Sequence, residues 1–268
     1  MAPPCARAGR SGQHNQGGGL MLQVQQLVKH FGGVRAVDGV SFDVAPGQCV
    51  ALIGPNGAGK STCFACIAGQ YPLTGGRVIW NGRALNGLDA RARLRQGIAR
   101  TFQVAQVFEA LTVLQNVQLV TQAAIGLQAI SAFKSLDGRS LEAARALLEQ
   151  TGLRGLENQD ALSLPYGAKK RLELAMALAA RPGLLLLDEP AAGLAGEERS
   201  SLMQLVGQLA AKGMAVLYTE HNMDAVASVA DRVLVLIEGR LAAQGTFEEI
   251  SRDASVRKRY LGEGAAHA

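Results

Sequence analysis

The pattern of hydrophobic and polar positions along the chain predicts two kinds of strand. Residues 49–53 (CVALI), 184–187 (LLLL) and 215–219 (AVLYT) are short and almost wholly apolar, which is typical of parallel strands buried on both faces. Residues 22–50 contain VQQLVKHF and VSFDV with a turn between them, which indicates an antiparallel unit, and residues 231–245 predict a hairpin at a sheet edge. The chain therefore combines a buried parallel sheet with antiparallel strands.

The middle of the chain is patterned as helices. In the segment RSLEAARALLEQ, a helix places Leu141, Ala144 and Leu148 on one apolar stripe. The segment LPYGAKKR (164–171) is expected at the start of another helix. We therefore predict a helical subdomain at about 104–180, inserted between two parts of the sheet.

Composition places the chain among ordinary globular proteins. Of its 268 residues, 48% are hydrophobic and 18% are charged, and its longest apolar runs are far shorter than the ~20 residues of a membrane span. Residues 1–20 are rich in glycine, proline and polar side chains, lack the apolar core of a signal peptide and are expected to be disordered. Met21 opens the first patterned segment, so both Met1 and Met21 are candidate translation starts.

The net charge of +5 raises the question of nucleic-acid binding. The basic clusters lie at 91–100, 169–171 and 257–259, and aromatic residues make up only 4% of the chain. Because nucleic-acid binding needs a concentrated basic face, the clusters are interpreted as solvated surfaces and no nucleic-acid partner is expected.

Two of the four cysteines, Cys63 and Cys66, have the spacing of a redox or metal half-site. They fall on a predicted helix, and no second pair completes a zinc site. We interpret them as buried packing residues, and the scattered cysteines fit a reducing cytoplasm.

The stretch CVALIGPNGAGKST (49–62) predicts a phosphate-binding loop between a strand and a helix. Gly54, Gly57 and Gly59 allow the backbone to curl so that successive N–H groups point at phosphate oxygens, and the helix N-terminus adds its dipole. Lys60 would place a cation between the β- and γ-phosphates, and the Ser61 hydroxyl would bind Mg²⁺.

Acidic and imidazole groups follow two other predicted strands. Asp188 ends LLLLD, where its carboxylate can bind Mg²⁺ through water, and Glu189 comes next, where it can orient or deprotonate an attacking water. His221 follows the strand 215–219. A lone histidine is more often structural, but at this sheet edge it is also a candidate γ-phosphate contact.

GPNGAGKST, Gln103, LPYGAKKRLELAMAL, LLLLDEP and His221 occur in the order and spacing of the ATP-binding cassette (ABC) transporter ATPases, which the chain resembles over residues ~22–262. The resemblance implies ATP and Mg²⁺ as cofactors, a Mg²⁺ ligand and sensor of the membrane partner at Gln103, and adenine stacking on Phe31. The nucleotide-binding residues that it assigns in this half of the site are Phe31, Gly54, Asn56, Gly57, Gly59, Lys60, Ser61 and Thr62. Glu189 and His221 are its catalytic residues.

The resemblance also predicts the domain organisation. The fold class is α/β: a P-loop NTPase core with a parallel sheet, an N-terminal antiparallel β subdomain and an inserted helical subdomain. The predicted units are a disordered tail at 1–20, the ATPase domain at 21–250, its helical signature subdomain at 104–180 and a C-terminal tail at 251–268.

The signature turn departs from the family's LSGGQ, which caps the γ-phosphate held by the opposite subunit. After Leu164, Pro165 replaces the serine, Tyr166 replaces the first glycine, Gly167 keeps the second, and Ala168 replaces the glutamine. Pro165 has no hydroxyl, and a hydrogen bond to a charged group contributes about 1.5–3 kcal/mol. We therefore expect a weakened cap.

A second departure follows DEP, where Ala195 stands at a position that is often aspartate. This substitution places the coupling between the two ATP sites in question, but not ATP binding. This chain's own phosphate site has all its expected residues. We therefore expect ATP here to turn over well with a good partner signature, and ATP capped by LPYG to turn over slowly.

Residues 97–117 and 256–263 look like those of the ATPase subunits of branched-chain amino acid importers, although urea and amide importers have similar cassettes. The resemblance implies integral-membrane permease subunits, a second ATPase subunit that is a different chain, and indirectly a solute-binding protein. It also implies a cytoplasmic location at the inner face of the plasma membrane. The alternatives are a non-transport ABC ATPase acting on the ribosome or DNA, and a nucleotide-binding regulator without hydrolysis. The sequence does not identify the solute.

Overall fold

A computed structural model describes residues 21–124 and 138–258 of the chain. The predicted disordered segment 1–20 lies outside the described residues, as does the end of the predicted C-terminal tail. The strands are β1 (Leu22–Phe31), β2 (Val34–Val44), β3 (Cys49–Ile53), β4 (Gly75–Trp80), β5 (Arg83–Ala84), β6 (Ile98–Arg100), β7 (Leu184–Asp188), β8 (Ala215–Thr219), β9 (Arg232–Ile237) and β10 (Arg240–Gly245). The helices are α1 (Lys60–Ala68), α2 (Ala90–Arg95), α3 (Val113–Ala124), α4 (Gly138–Gln150), α5 (Tyr166–Ala179), α6 (Gly196–Ala211), α7 (Met223–Val229), α8 (Phe247–Arg252) and α9 (Ala254–Val256).

The strands form two sheets, as the sequence pattern predicts. One is antiparallel with the order β2-β1-β4-β5, and the other has the order β10-β9-β3-β8-β7-β6. In the second sheet, β9, β3, β8, β7 and β6 are parallel, and β10 pairs with β9 as the predicted antiparallel edge hairpin. Because β3, β8 and β7 are neighbours, the loops that follow them emerge side by side at one edge.

The parallel strands are buried on both faces. Val50, Leu52 and Leu186 face a core shared with the antiparallel sheet and α1. Ala51 and Leu185 face the opposite core, which is shared with α5, α6 and α7. This two-sided burial explains why the strands lack an alternation of polar and apolar residues.

A third hydrophobic cluster joins α3, α4 and α5, where Ala144 and Leu148 of the predicted stripe are fully buried. Helix α5 belongs to two clusters, because Leu172 packs in the third while Leu174 packs against the parallel sheet. The helix that carries the signature turn is thus also the link between the helical cluster and the sheet.

The predicted end of the ATPase domain at residue 250 falls inside α8, and Val256 in α9 is fully buried against the second core. The Thr246 side chain and Glu249 form a capping box that starts α8, so the packed fold continues at least to Val256.

The interpretation of the CFAC pair as packing residues is confirmed. Cys63 and Cys66 lie on α1 and are completely buried. Burial raises the pKa of the Cys66 thiol to about 11, so this thiol stays protonated and unreactive at neutral pH.

Within the part of the chain that the structure describes, no helix is both long enough and apolar enough to cross a membrane.

Candidate nucleotide-binding site

The glycines of the phosphate loop are required by the packing around it. Gly54 has φ 150°, and a Cβ there would lie 2.0 Å from the carbonyl oxygen of Leu236. Gly59 has φ 96°, and a Cβ there would lie 2.2 Å from the carbonyl oxygen of Ala36. The loop is therefore pressed against the β9–β10 hairpin and β2, and only glycine fits these two positions.

Lys60 is held inside the loop, with only 7% of its surface exposed. Its Nζ donates to the carbonyl oxygens of Gly54 at 2.7 Å and Pro55 at 3.0 Å. Burial lowers the pKa of its ammonium, and the nearby carboxylates of Glu189 and Asp188 oppose that shift. Its acceptors are neutral carbonyls, so they can be exchanged for phosphate oxygens, which bind an ammonium more strongly.

A cavity of about 390 Å³ lies beside the loop, a size suited to part of a nucleotide. The loop itself lines the cavity, together with Glu189 and His221. The sequence-predicted residues that line the cavity are Asn56, Gly57, Gly59, Lys60, Ser61, Thr62, Glu189 and His221.

The Glu189 carboxylate contacts two other predicted residues, His221 and Gln103. Its Oε1 lies 2.6 Å from Nε2 of His221, and its Oε2 accepts from Nε2 of Gln103 at 2.8 Å. Glu189 also has φ 48°, a left-handed conformation that is strained for a side chain with a Cβ. A carboxylate that lines the cavity and has one partner on each oxygen can position a water and accept its proton.

Thr219, at the end of β8, connects the two acidic residues. Its hydroxyl donates to Oδ1 of Asp188 at 2.8 Å and accepts from the backbone N–H of Glu189 at 3.0 Å. The other Asp188 oxygen, Oδ2, is bound by Arg100 at 2.6 Å. Sequence reasoning missed both Thr219 and Arg100, because no motif marks them and only the pairing of β6, β7 and β8 brings them to Asp188.

Glu220, which directly follows β8, is a third carboxylate at this sheet edge. It is buried, and it accepts from the backbone N–H groups of Ala191 at 2.8 Å and His221 at 3.1 Å. It thereby fastens the loop after β7 to the loop after β8, which carries His221.

The structure does not bring Phe31 to the cavity. Its ring is 44% exposed and packs edge-to-face on Tyr71, with 5.4 Å between the ring centroids. The ammonium of Lys29 lies 4.7 Å from the Phe31 centroid. Val34, Arg35 and Ala36, just beyond the β1–β2 turn, line the cavity instead.

The signature turn, Leu164 to Gly167, does not reach this chain's phosphate loop. Pro165 and Gly167 line a separate cavity of about 190 Å³, and Pro165 occupies the N-cap of α5. The ring of Tyr166 lies over Gly193 in the loop after β7, where a Cβ would be 3.0 Å from Cε1 of the ring. Its hydroxyl is 3.4 Å from the carbonyl oxygen of Gln103.

Two buried charges on α5 hold the backbone around Gln103. The Lys170 ammonium donates to the carbonyl oxygens of Phe102 at 3.2 Å and Gln103 at 2.5 Å. The Glu173 carboxylate accepts from the N–H groups of Phe102 at 3.0 Å and Gln106 at 3.3 Å. Sequence reasoning missed this pair, although two opposite charges three residues apart on one helix were a signal.

Comparisons with known proteins agree with this geometry. Residues 37–192 match the family model described as "ABC transporter". The chain is 39% identical over 250 residues to the high-affinity branched-chain amino acid transport ATP-binding protein BraF of Pseudomonas aeruginosa, and 38% identical over 250 residues to LivG of Escherichia coli K12, which bears the same description. Each alignment covers 91% of this chain and 98% of the relative.

A solved structure, a nucleotide-free ATP-binding cassette from an ABC transporter, has the same fold. It superposes with a TM-score of 0.80 at 30% sequence identity, and the match covers 91% of this chain and all of the other. The predicted α/β P-loop architecture is confirmed. Because the family model spans more than half of the chain and the relatives align over nearly all of it, this chain belongs to the ABC transporter family as an ATPase subunit.

Proposed function

We propose that this chain powers an importer of branched-chain amino acids, or of a related small polar solute, by hydrolysing ATP. The observation that carries the proposal is the Glu189 carboxylate, which contacts His221 and Gln103 and lines the cavity beside the phosphate loop. The descriptions of BraF and LivG support the solute class.

In this proposal, the loop N–H groups and Lys60 bind the β- and γ-phosphates, and Asn56 and Thr62 line the same cavity. Glu189 orients the attacking water and accepts its proton, a role that typically contributes ~10²–10⁴-fold. His221 contacts the γ-phosphate and fixes the Glu189 carboxylate. Phe31, partly exposed at the end of β1 and outside this cavity, would stack on the adenine.

The proposed Mg²⁺ ligands are the Ser61 hydroxyl, the Asp188 carboxylate and the Gln103 amide. All three offer oxygen, which Mg²⁺ prefers, and Mg²⁺ is usually held by one or two carboxylates together with substrate phosphates. The described residues contain no group of three or more His, Cys, Asp or Glu that could hold a metal on its own. The donor set therefore fits an ion shared with ATP, which would supply neutralisation of phosphate charge.

The proposed partners are integral-membrane permease subunits, a second ATPase subunit of a different chain, and indirectly a solute-binding protein. The proposed location is the inner face of the plasma membrane. The signature residues Leu164, Pro165, Tyr166 and Gly167 would then face ATP on the second subunit. The direct contacts of Tyr166 and Lys170 with the backbone of Gln103 support this role, because they connect the signature helix to the proposed sensor of the permease.

The test is to purify the Glu189→Gln variant with ATP and Mg²⁺ from gently solubilised membranes and to identify its partners by mass spectrometry. We expect a hydrophobic permease pair and a second cassette, with a matched Lys60→Ala preparation recovering less of that cassette. Recovery of ribosomal proteins or nucleic acid instead would overturn the transport proposal.

The solute class needs a second assay. Cells that lack the gene should lose uptake of labelled leucine, and the wild-type gene should restore it while the Glu189→Gln variant does not. Unchanged leucine uptake in the deletion strain, with lost uptake of urea or an amide, would replace the amino-acid assignment.

A further inference from the structure

Arg100 ends β6 beside the end of β7, and its guanidinium is buried against Asp188. The nitrogen Nη2 lies 2.6 Å from Oδ2 of Asp188, and the two side chains are only 12% and 11% exposed. Nη1 donates to the side-chain oxygen of Gln70. The rings of Phe64 and Phe102 flank the guanidinium, with their centroids 5.9 Å and 5.3 Å from Cζ.

The arrangement differs from that of a purely structural arginine in the same chain. Arg93 is also buried, and its guanidinium donates only to backbone carbonyls, those of Cys66, Ile67, Leu85 and Leu88. Arg100 instead faces a carboxylate, and its buried Nε has no hydrogen-bond partner among the described residues. Its bonding is therefore less complete than that of Arg93, and its charge is directed at Asp188.

Both oxygens of Asp188 are thus occupied by protein donors, Oδ1 by Thr219 and Oδ2 by Arg100. Replacing a buried ion pair by apolar residues is often neutral or stabilising, so stability alone is a weak reason for this pair. An unneutralised Asp188, by contrast, would repel the phosphates of a nucleotide bound at the loop after β3, two strands away, where Lys60 already feels the charge of Asp188.

We propose that Arg100 is a positioning residue that acts as the counter-ion of Asp188 and thereby sets how strongly ATP binding depends on Mg²⁺. The inference rests on the proposed role of Asp188 at the metal. With Arg100 in place, Asp188 is neutralised and ATP can bind without metal. Without Arg100, the carboxylate opposes metal-free ATP and is more available to Mg²⁺.

The experiment measures the Kd of ATP by calorimetry, once with excess Mg²⁺ and once with EDTA, in the non-hydrolysing Glu189→Gln background. The variants are Arg100→Gln and Arg100→Met, the second of which keeps the apolar packing between the two rings. Each is repeated with Asp188→Asn, and the exposed Arg95→Gln is the matched control. Melting temperatures verify that each protein is folded.

We expect Arg100→Gln and Arg100→Met to raise the ratio of Kd in EDTA to Kd in Mg²⁺ on the order of tenfold or more. The Coulomb energy of two charges several ångströms apart at intermediate dielectric corresponds to a change of this size. In the Asp188→Asn background, the same substitutions should change the ratio less than about twofold, because the negative charge that Arg100 neutralises is then absent. Arg95→Gln should leave the ratio equal to that of the Glu189→Gln protein without further substitution.

An equal loss of affinity with and without Mg²⁺ would make Arg100 a structural residue and overturn the inference. A rise in the ratio that persists with Asp188→Asn would overturn it as well, because Asp188 would not be the group that Arg100 neutralises. If Asp188→Asn by itself leaves the ratio at the background value, the proposed metal role of Asp188 fails, and that result is distinct from a failure of Arg100 alone.

Discussion

The Thr219 hydroxyl joins the two acidic residues of the site through one oxygen atom. It donates to Asp188 and accepts from the N–H of Glu189, the residue with the strained backbone. Holding a non-glycine residue at φ 48° costs on the order of 1–3 kcal/mol and persists only where neighbours enforce it. Thr219 is therefore part of what keeps the Glu189 carboxylate in place.

Thr219→Val keeps the side-chain shape and removes this hydroxyl. We expect kcat for ATP to fall about ten- to a hundredfold, as the loss of about 1.5–3 kcal/mol of hydrogen bonding to a charged group predicts. The KM should change less, because the phosphate loop is untouched. Steady-state ATPase assays on the assembled complex measure both constants.

Thr219→Ser, which retains the hydroxyl, is the matched control and should keep most of the activity. Equal losses in the serine and valine variants would show that the methyl group and packing matter, and not the hydrogen bonds.

At single positions, the sequence predicts the functional side chains that belong to a recognisable motif. Lys60, Glu189 and His221 line one cavity beside the phosphate loop. Thr219 could not be found this way, because its role depends on the register that sets Asp188 beside it across β7 and β8. Strand order and register follow from tertiary packing, which no local pattern contains.

At the scale of elements, α5 is fastened to the loop that carries Gln103. Lys170 and Glu173 form hydrogen bonds with the backbone of that loop, and the Gln103 side chain in turn donates to the Glu189 carboxylate. Burial lowers the pKa of Lys170 and raises that of Glu173, while the charge of each partner opposes the shift. The two residues act together, so loss of one leaves the other buried without its counter-charge.

Lys170→Met should therefore destabilise the folded protein by roughly 1.5–3 kcal/mol, since it removes the charged hydrogen bonds to the carbonyls of Phe102 and Gln103 and the positive charge near Glu173. Denaturant unfolding of the isolated chain measures the loss. The neighbouring, less buried Lys169→Met is the control and should change the free energy of unfolding by less than about 1 kcal/mol. A small effect at Lys170 would mean that the loop has other adequate supports.

Strands and helix starts were easier to predict than the end of the fold. The ranges of β3 and β8 coincide with the apolar runs 49–53 and 215–219, because strands buried on both faces are wholly apolar. The packed fold continues past the predicted boundary at residue 250, where α8 and α9 each bury a single residue, Ile250 and Val256, and so leave no periodic stripe.

At the scale of the whole molecule, the signature turn is the part of the chain that we propose faces a second subunit. Pro165 lies at the N-cap of α5 with φ −55°, an angle that its ring favours. It adds no side-chain hydrogen bond to the helix. A serine would bring a hydroxyl to this position without requiring a different backbone.

Pro165→Ser should raise ATP turnover of the assembled complex by several-fold up to about tenfold, since one hydrogen bond to a charged phosphate is restored in the cap. The Kd for ATP of the isolated chain should stay within about twofold, because the signature turn does not line the cavity beside this chain's phosphate loop. Turnover assays of the complex, with Ser163→Ala as a control for local change, test this. Unchanged turnover in the complex would remove the weakened-cap hypothesis.

The Tyr166 ring over Gly193 makes two distant positions interdependent. The ring fills the space that a side chain at Gly193 would occupy. Replacing Tyr166 by the glycine of LSGGQ would open a void above the loop after β7, and adding a side chain at Gly193 would displace the ring. Any engineered return to the common signature must therefore treat positions 166 and 193 as one unit of design.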